Sequence, residues 1–543
     1  MSDLWTEKTH ATVTALLSDI ASDSYGQVSS SIYETARVVT LAPWLTGHLR
    51  RVRFLLESQQ HNGRWGGPDD YGLVPTLSAT EALLATLLRY PGEHDPLLDY
   101  GQLVSAADRG LRSLFRWLGT DGRVALPDTV AVELVVPALV TEINAHLDRL
   151  GSEPVVGLDV WRGTARLVLP RGVDNGLLMR LRDAALAGHG LPTKLLHSLE
   201  VVGAPVRGAS FVHPVQGAVG CSPAATATWL GDRAPQADDH PSVDYLVAIQ
   251  QRCGGPVPVC APVPLFEQAW VLAALTTAGV SVTVPRGLLG RLHAAFGEKG
   301  AAVGPGLPPD ADDTSTALHA LARLGSPHSP ESLWTYQVGR HFSCFPAERT
   351  PSTTTNAHIL QAFGACLVRG LPQHRRYRAA ISELSGWLHD AQQADGSWSD
   401  KWHASGYYAT ACCAVALAEY GDAPAAVRKA TEWVLATQRA DGSWGRWAGT
   451  YEETAYAVQT LLRTGMPRAD GAIQRAAARG CAFLLRSGDD QEHPALWHDK
   501  DLYTPSRVIR AEGLATPHLA HDDPRVAAMV ALEYGESERA EAG

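Results

Sequence analysis

Three copies of one phrase constrain this chain more than any other feature. Gln59-Gln60-His61-Asn62-Gly63-Arg64-Trp65-Gly66, Gln392-Gln393-Ala394-Asp395-Gly396-Ser397-Trp398 and Gln438-Arg439-Ala440-Asp441-Gly442-Ser443-Trp444-Gly445 repeat a glutamine, a glycine turn and a tryptophan at one spacing. The last two copies lie 46 residues apart, the length of a helix pair with its loops, as in an α-solenoid or α/α toroid. The glycine makes the turn, the glutamine amide can bond the loop backbone, and the tryptophan can pack on a helix end. These are staples of structure, and no catalysis is assigned to them.

Between the phrases, apolar residues recur at spacings of three and four, as in Thr80–Leu88 and Ala409–Leu417, and β-branched alternation is rare. The chain therefore reads as all-α. At 543 residues it has length for two or three domains with ample core. The first copy of the phrase stands far from the other two. One helical barrel over residues 46–264, with 1–45 and 265–543 together forming another, accounts for that separation.

Pro308-Pro309-Asp310-Ala311-Asp312-Asp313-Thr314-Ser315-Thr316-Ala317 packs three carboxylates into four residues. Like charges that close cannot all ionise cheaply, so one carboxyl is expected to keep its proton at neutral pH and serve as a strong Brønsted acid. The same residues also make a good helix start, with Asp310 as N-cap and two acids in the first turn.

A net charge of -11 without a clustered basic surface argues against a nucleic-acid partner. The eight cysteines show no CxxC pair and no His/Cys ligand spacing, so reduced, buried thiols and a cytoplasmic location are expected. Asp3, Glu7 and Lys8 break up any signal-peptide pattern, and no integral membrane segment is expected.

Several stretches, taken in chain order, resemble the class II diterpene cyclases of the copalyl diphosphate synthase group. They are Ser29–Ala36, the tryptophan phrases, Val132-Glu133-Leu134-Val135-Val136-Pro137-Ala138-Leu139, Leu191–Glu200 with its Leu-His-Ser, Ser222–Ala227, Val263–Glu267, the Asp-x-Asp-Asp at 310–313, and Phe342–Phe345 followed by Thr355-Asn356-Ala357-His358. The resemblance implies two α/α barrels, called β and γ in that family, with γ inserted and the active site between them. It also implies retention of the substrate diphosphate. The Asp-Asp-x-x-Asp motif of class I enzymes is not met, since Asp69-Asp70-Tyr71-Gly72-Leu73 and Asp489-Asp490-Gln491-Glu492-His493 both fail at the fifth position. A separate class I diterpene synthase downstream is then the expected partner.

The implied reaction is protonation and bicyclisation of geranylgeranyl diphosphate to copalyl diphosphate, the ent isomer being favoured by the Leu-His-Ser match. By resemblance Asp312 is the proton donor, Asp310 and Asp313 modulate it, and Asn356 orients its proton. His197 matches the terminating base of plant ent-copalyl diphosphate synthases, although the Asn that assists it there is Val259 here. Glu133 matches a residue that serves Mg2+, which favours hard oxygen ligands. Arg180, Arg182, Lys500 and Arg507 are candidates for the diphosphate. Aromatic faces rather than anions should steady the cation, and Trp229, Phe342, Tyr407, Tyr408 and Trp497 are candidates, each equally a core residue. The alternatives are another copalyl or halimadienyl-type stereoisomer or a rearranged product, a squalene-hopene-like triterpene cyclase, and a non-catalytic helical scaffold. A zinc-binding prenyltransferase-like toroid would need a Cys/His/Asp set that is not legible here.

Overall fold

A computed structural model describes residues 2–89, 99–119, 124–163, 166–232, 240–372, 374–465, 471–488 and 493–541. The tryptophan phrases build its frame. Trp65, Trp398 and Trp444 are fully buried, and each indole N–H donates to a carbonyl ten residues earlier, Leu55, Leu388 or Val434, at 2.7–2.8 Å. The backbone N–H of each donates at 3.0 Å to a threonine hydroxyl in the helix that follows, on Thr76, Thr410 or Thr454. Gln59, Gln392 and Gln438 each bond the glycine carbonyl of their own phrase and a carbonyl of a neighbouring helix, at Ala106, Ala426 or Ala476. The glycines are obligatory. Each has positive φ, and a Cβ on Gly63, Gly396 or Gly442 would meet a backbone oxygen at 2.5–2.8 Å.

These staples alternate inner and outer helices. The helices Pro264–Thr277, Ala311–Arg323, Thr353–Val368, Gly406–Tyr420, Tyr451–Arg463 and Ser506–Asp522 each pack on the next, and the last returns to the first, closing a ring. Inner helices are buried on every side, as helices enclosed by a second layer must be. The helix Ser2–Ser22 lies on Ser506–Asp522 and adds Val13, Leu16, Leu17 and Ile20 to the same core.

A second ring runs from Ile32–Leu41 to Leu73–Arg89, Val132–Ser152, Thr193–Val201 and Pro223–Leu230, and back to Ile32–Leu41. Its core gathers residues from Tyr33 to Ala225. Ile32–Leu41 therefore belongs to this ring, whereas a boundary at residue 45 assigns it to the other. Its apolar side carries Tyr33, Ala36 and Val39, and these face Leu73–Arg89. The stretch Asp69–Arg89 is long and apolar enough to cross a membrane, contrary to the expectation of no such run, yet 94% of its window is buried in this ring. It is a core helix.

Among the described residues two short hairpins complete the fold. Gln337–Val338 pairs with His341–Phe342, and Trp497–His498 pairs with Leu502–Tyr503.

Candidate active site

The acidic stretch is both a helix start and an acid cluster. Asp310 caps the helix Ala311–Arg323, its carboxylate accepting from the Asp313 N–H at 2.8 Å. All three carboxyls are buried. Burial, with the mutual repulsion of the cluster, raises Asp310 to about 7 and Asp313 well above the ordinary range. Asp313 Oδ1 is buried without a hydrogen-bond partner, as a protonated carboxyl tolerates better than a charged one.

Asp312 is held differently. Its Oδ1 accepts from His358 Nδ1 at 2.8 Å. Burial opposes a charge on that ring, but the Asp312 carboxylate beside it wins and lifts His358 to about 10. Asn356, expected at this position, lies elsewhere: its Oδ1 accepts from Phe342 N–H, and its amide donates to the carbonyls of Phe342 and Ser352. That uses its bonding capacity on the strand His341–Phe342 and the helix start. Residues two apart on a helix point about 200° apart, so His358 faces the acid when Asn356 faces the strand. His358 sat in the quoted stretch Thr355–His358, but a helix buried all round gives no periodicity to choose between the two.

An aromatic wall stands next to this pair. Trp270 meets His358 edge-on at 5.6 Å and Phe266 at 4.7 Å, and donates its indole N–H to the Tyr408 hydroxyl at 3.2 Å. Trp497 meets Phe266, Tyr408 and Tyr503 at 5.4, 4.9 and 6.4 Å. Glu452 fixes Trp497 by accepting its N–H at 2.7 Å. Tyr408 and Trp497 are thus brought to the acid, joined by Phe266, Trp270 and Tyr503, which sequence reasoning missed. Of the other three candidates, Phe342 and Tyr407 are core residues, packed on Trp334 and Phe363 and on Trp433, and Trp229 is half-buried beside His240.

Residues 349–507 match the family model of the squalene-hopene cyclase C-terminal domain. Over 506 residues the chain is 47% identical to the ent-copalyl diphosphate synthase of Streptomyces sp. (strain KO-3988), covering 92% of this chain and 94% of that one. It is 42% identical over 512 residues to the labda-7,13-dienyl diphosphate synthase of Streptomyces clavuligerus, covering 92% and 91%. The solved structure of ent-copalyl diphosphate synthase from Streptomyces platensis superposes with a TM-score of 0.89 at 48% identity, over 94% of this chain and 99% of that one. The chain belongs to the copalyl diphosphate synthase family of class II diterpene cyclases.

Other positions expected from this family fall out differently. His197 places Nδ1 at 2.7 Å from the Gly220 carbonyl and Nε2 at 2.9 Å from Asp499 Oδ1. Both partners accept, so both ring nitrogens carry protons, and the Asp499 charge outweighs burial to raise the ring above its ordinary value. An imidazolium so held is not poised as a base. Val259 is fully buried, and its side chain offers no hydrogen bond.

The cation candidates are committed as well. Lys500 is fully buried and its Nζ bonds Glu34, Glu200 and Ser222. It ties the 497–503 hairpin to the second ring. Arg507 pairs with Asp23 and Glu267 at 2.9 and 3.0 Å, and Arg182 donates to the carbonyls of Val201 and Val202. Arg180 is exposed on the helix Gly176–Leu186, far in sequence and in fold from the acid. At the seam between the rings a different set converges. Glu348 accepts from Lys401 at 2.6 Å and faces Lys194 at 3.4 Å, while Arg349 stands 3.9 Å from Glu133. The second Glu348 oxygen closes its own loop on the N–H of Cys344, whose carbonyl accepts from Ala311 beside the acid.

Among the described residues no three His, Cys, Asp or Glu side chains converge as a metal cage. Glu133 is a half-exposed carboxylate, and a single hard oxygen donor with retained water and substrate phosphate fits Mg2+. Of the two class I motif candidates, residues 489–492 lie outside those described, and Asp69 accepts from the Trp447 indole.

Proposed function

We propose that this chain cyclises geranylgeranyl diphosphate to copalyl diphosphate, in the ent series, with the diphosphate retained. The observation that carries the reading is the buried Asp312, bonded to His358 and walled by Trp270, Tyr408 and Trp497. An alkene is a very weak base, so the donor must be strong and shielded from water. Hydrogen bonding from a protonated His358 to Oδ1 draws charge from the carboxyl and makes the proton on the other oxygen easier to give. Asp313, and Asp310 below about pH 7, are held protonated by burial and then add no anion that could trap a carbocation. The ring faces of Trp270, Tyr408 and Trp497 then steady the positive charge as it develops.

Lys194, Lys401 and Arg349 are the cations placed to hold a diphosphate at the seam between the rings. Glu133 would hold Mg2+ there, and the ion would neutralise phosphate charge. Because the diphosphate stays attached, an ionising class I synthase must consume the product. The eight cysteines are free thiols, which supports a reducing, cytoplasmic setting.

The ent assignment rests on relatives at 47–48% identity that are named for that product. A second reading, a labda-7,13-dienyl product, is favoured by the relative at 42% identity and by His197 being held as an imidazolium rather than as a base. Incubation with geranylgeranyl diphosphate and Mg2+, then dephosphorylation and chiral gas chromatography, separates the two. An ent-copalol peak supports the first reading; a labdadienol supports the second; cyclisation of squalene alone removes both.

A further inference from the structure

Glu512 is the ionisable group near the acid that this chemistry leaves unused. It comes from the helix that closes the ring, Ser506–Asp522, and its Oε2 accepts from Gln459 Nε2 at 2.5 Å. With His358, Tyr408, Cys412, Gln459 and Arg463 it lines a cavity of about 80 Å³. Asp312 does not line it. His358, which bonds Asp312 and meets Trp270 edge-on, lines it together with Trp270 and Tyr408. The cavity reaches the partly exposed side chains of Thr277 and Arg463.

This space suits water. Thr316 Oγ1 and His319 Nε2 line it, and both are buried without a protein hydrogen-bond partner. Water is what satisfies such atoms, and at roughly 30 Å³ each the cavity takes two or three molecules.

The proposed reaction creates a need for it. Asp312 gives up a proton in each turnover, and the terminating proton leaves from a different carbon. Aromatic rings and substrate hydrocarbon then separate the Asp312 carboxylate from solvent on the substrate side. We propose that this cavity returns the proton to Asp312, with Glu512 passing it from solvent water to His358. The inference rests on Asp312 being the acid. In the return step the His358 Nδ1–H bond breaks as Asp312 gains the proton, which leaves a neutral ring that keeps its Nε2 proton; a half-turn of the ring then presents that N–H to Asp312, and the bare nitrogen, now toward the cavity, takes a proton from water that Glu512 and bulk water replenish. One proton enters at the acid for each one released at termination, so none is consumed overall.

The groups facing Glu512 fit the task. Glu452, Tyr456, Gln459 and Arg463 come from the helix Tyr451–Arg463, Tyr408 and Cys412 from Gly406–Tyr420, His358 from Thr353–Val368, and His319 from Ala311–Arg323. Burial raises Glu512 to about 7, against Gln459 and Arg463, so it exchanges protons near neutrality. Burial depresses His319 to about 3, which keeps it neutral.

Rapid-quench kinetics with geranylgeranyl diphosphate and Mg2+ test the relay. Glu512→Gln is expected to form its first equivalent of product per enzyme at the wild-type rate, then to fall about tenfold or more in steady state, with imidazole buffer restoring the loss. Ala273→Phe, which fills the cavity from its lining and removes no ionisable group, is expected to show the same burst and carries the test if Glu512→Gln does not fold. Wild-type steady-state rates in either folded variant, or first and later turnovers falling together, would overturn the relay. A wild-type enzyme that makes no product even in its first turnover overturns the acid assignment beneath it.

Discussion

His358 and Asp312 share a 2.8 Å hydrogen bond inside the closed helical ring, one residue from each of two adjacent inner helices. The pair joins a proton donor to the cation that sharpens it. Removal of the ring in His358→Phe is expected to lower kcat about 100-fold or more, with the melting temperature showing that the protein still folds.

Asn356→Ala should behave in the opposite way. It deletes three hydrogen bonds to backbone and leaves the buried Phe342 N–H unpaired, a loss of about 2–3 kcal/mol. The expected result is a lower melting temperature, with kcat per folded molecule falling far less than in His358→Phe. Equal kinetic losses would return Asn356 to the acid's own contacts.

The contrast shows where the sequence was legible. The tryptophan phrases disclosed the helix-pair frame because glycine, glutamine and tryptophan are each fixed by a local bond repeated three times. The acid cluster was visible as three carboxylates in one turn, but the same residues read equally well as a helix start, and only the family resemblance singled out Asp312. Partners across the ring were not legible: His358 and Trp270 meet Asp312 and Trp497 only after separate helices close, and local pattern carries no trace of that closure. Lys500 misled for the same reason, since a lysine in a short loop reads as exposed until Glu34 and Glu200 arrive from the other ring.

Activity should respond to pH through the acid cluster. Asp310 is raised to about 7 in the fold, so it exchanges its proton near neutrality. Its contribution to stability is full below the unfolded value near 4 and is lost as pH rises through about 7. The expected kcat/KM profile declines with a midpoint near pH 7, and Asp310→Asn removes that limb. His358, raised to about 10, contributes stability below its unfolded value near 6.5 that is lost as pH climbs through about 10.

Lys500→Met leaves Glu34 and Glu200 buried without their cation. Breaking a buried pair in this way costs about 3–5 kcal/mol. A marked fall in melting temperature with unchanged KM is expected; a raised KM with normal stability would place Lys500 at the diphosphate after all.

Lys194→Gln and Lys401→Gln probe the seam. Each removes one cation beside Glu348 from the proposed diphosphate site, and each is expected to raise KM for geranylgeranyl diphosphate about tenfold with little change in melting temperature. Titration of initial rate against substrate reads this directly, and an unchanged KM in both would move the diphosphate elsewhere.

The central claim is that Asp312, an exchangeable carboxylic acid, starts the reaction by protonating carbon. Reaction in deuterium oxide, followed by mass spectrometry of the dephosphorylated product, measures that step. One carbon-bound deuterium per molecule in the wild-type product, and no product from Asp312→Asn, is the predicted result. A cyclic product without deuterium, or undiminished product from Asp312→Asn, would contradict it.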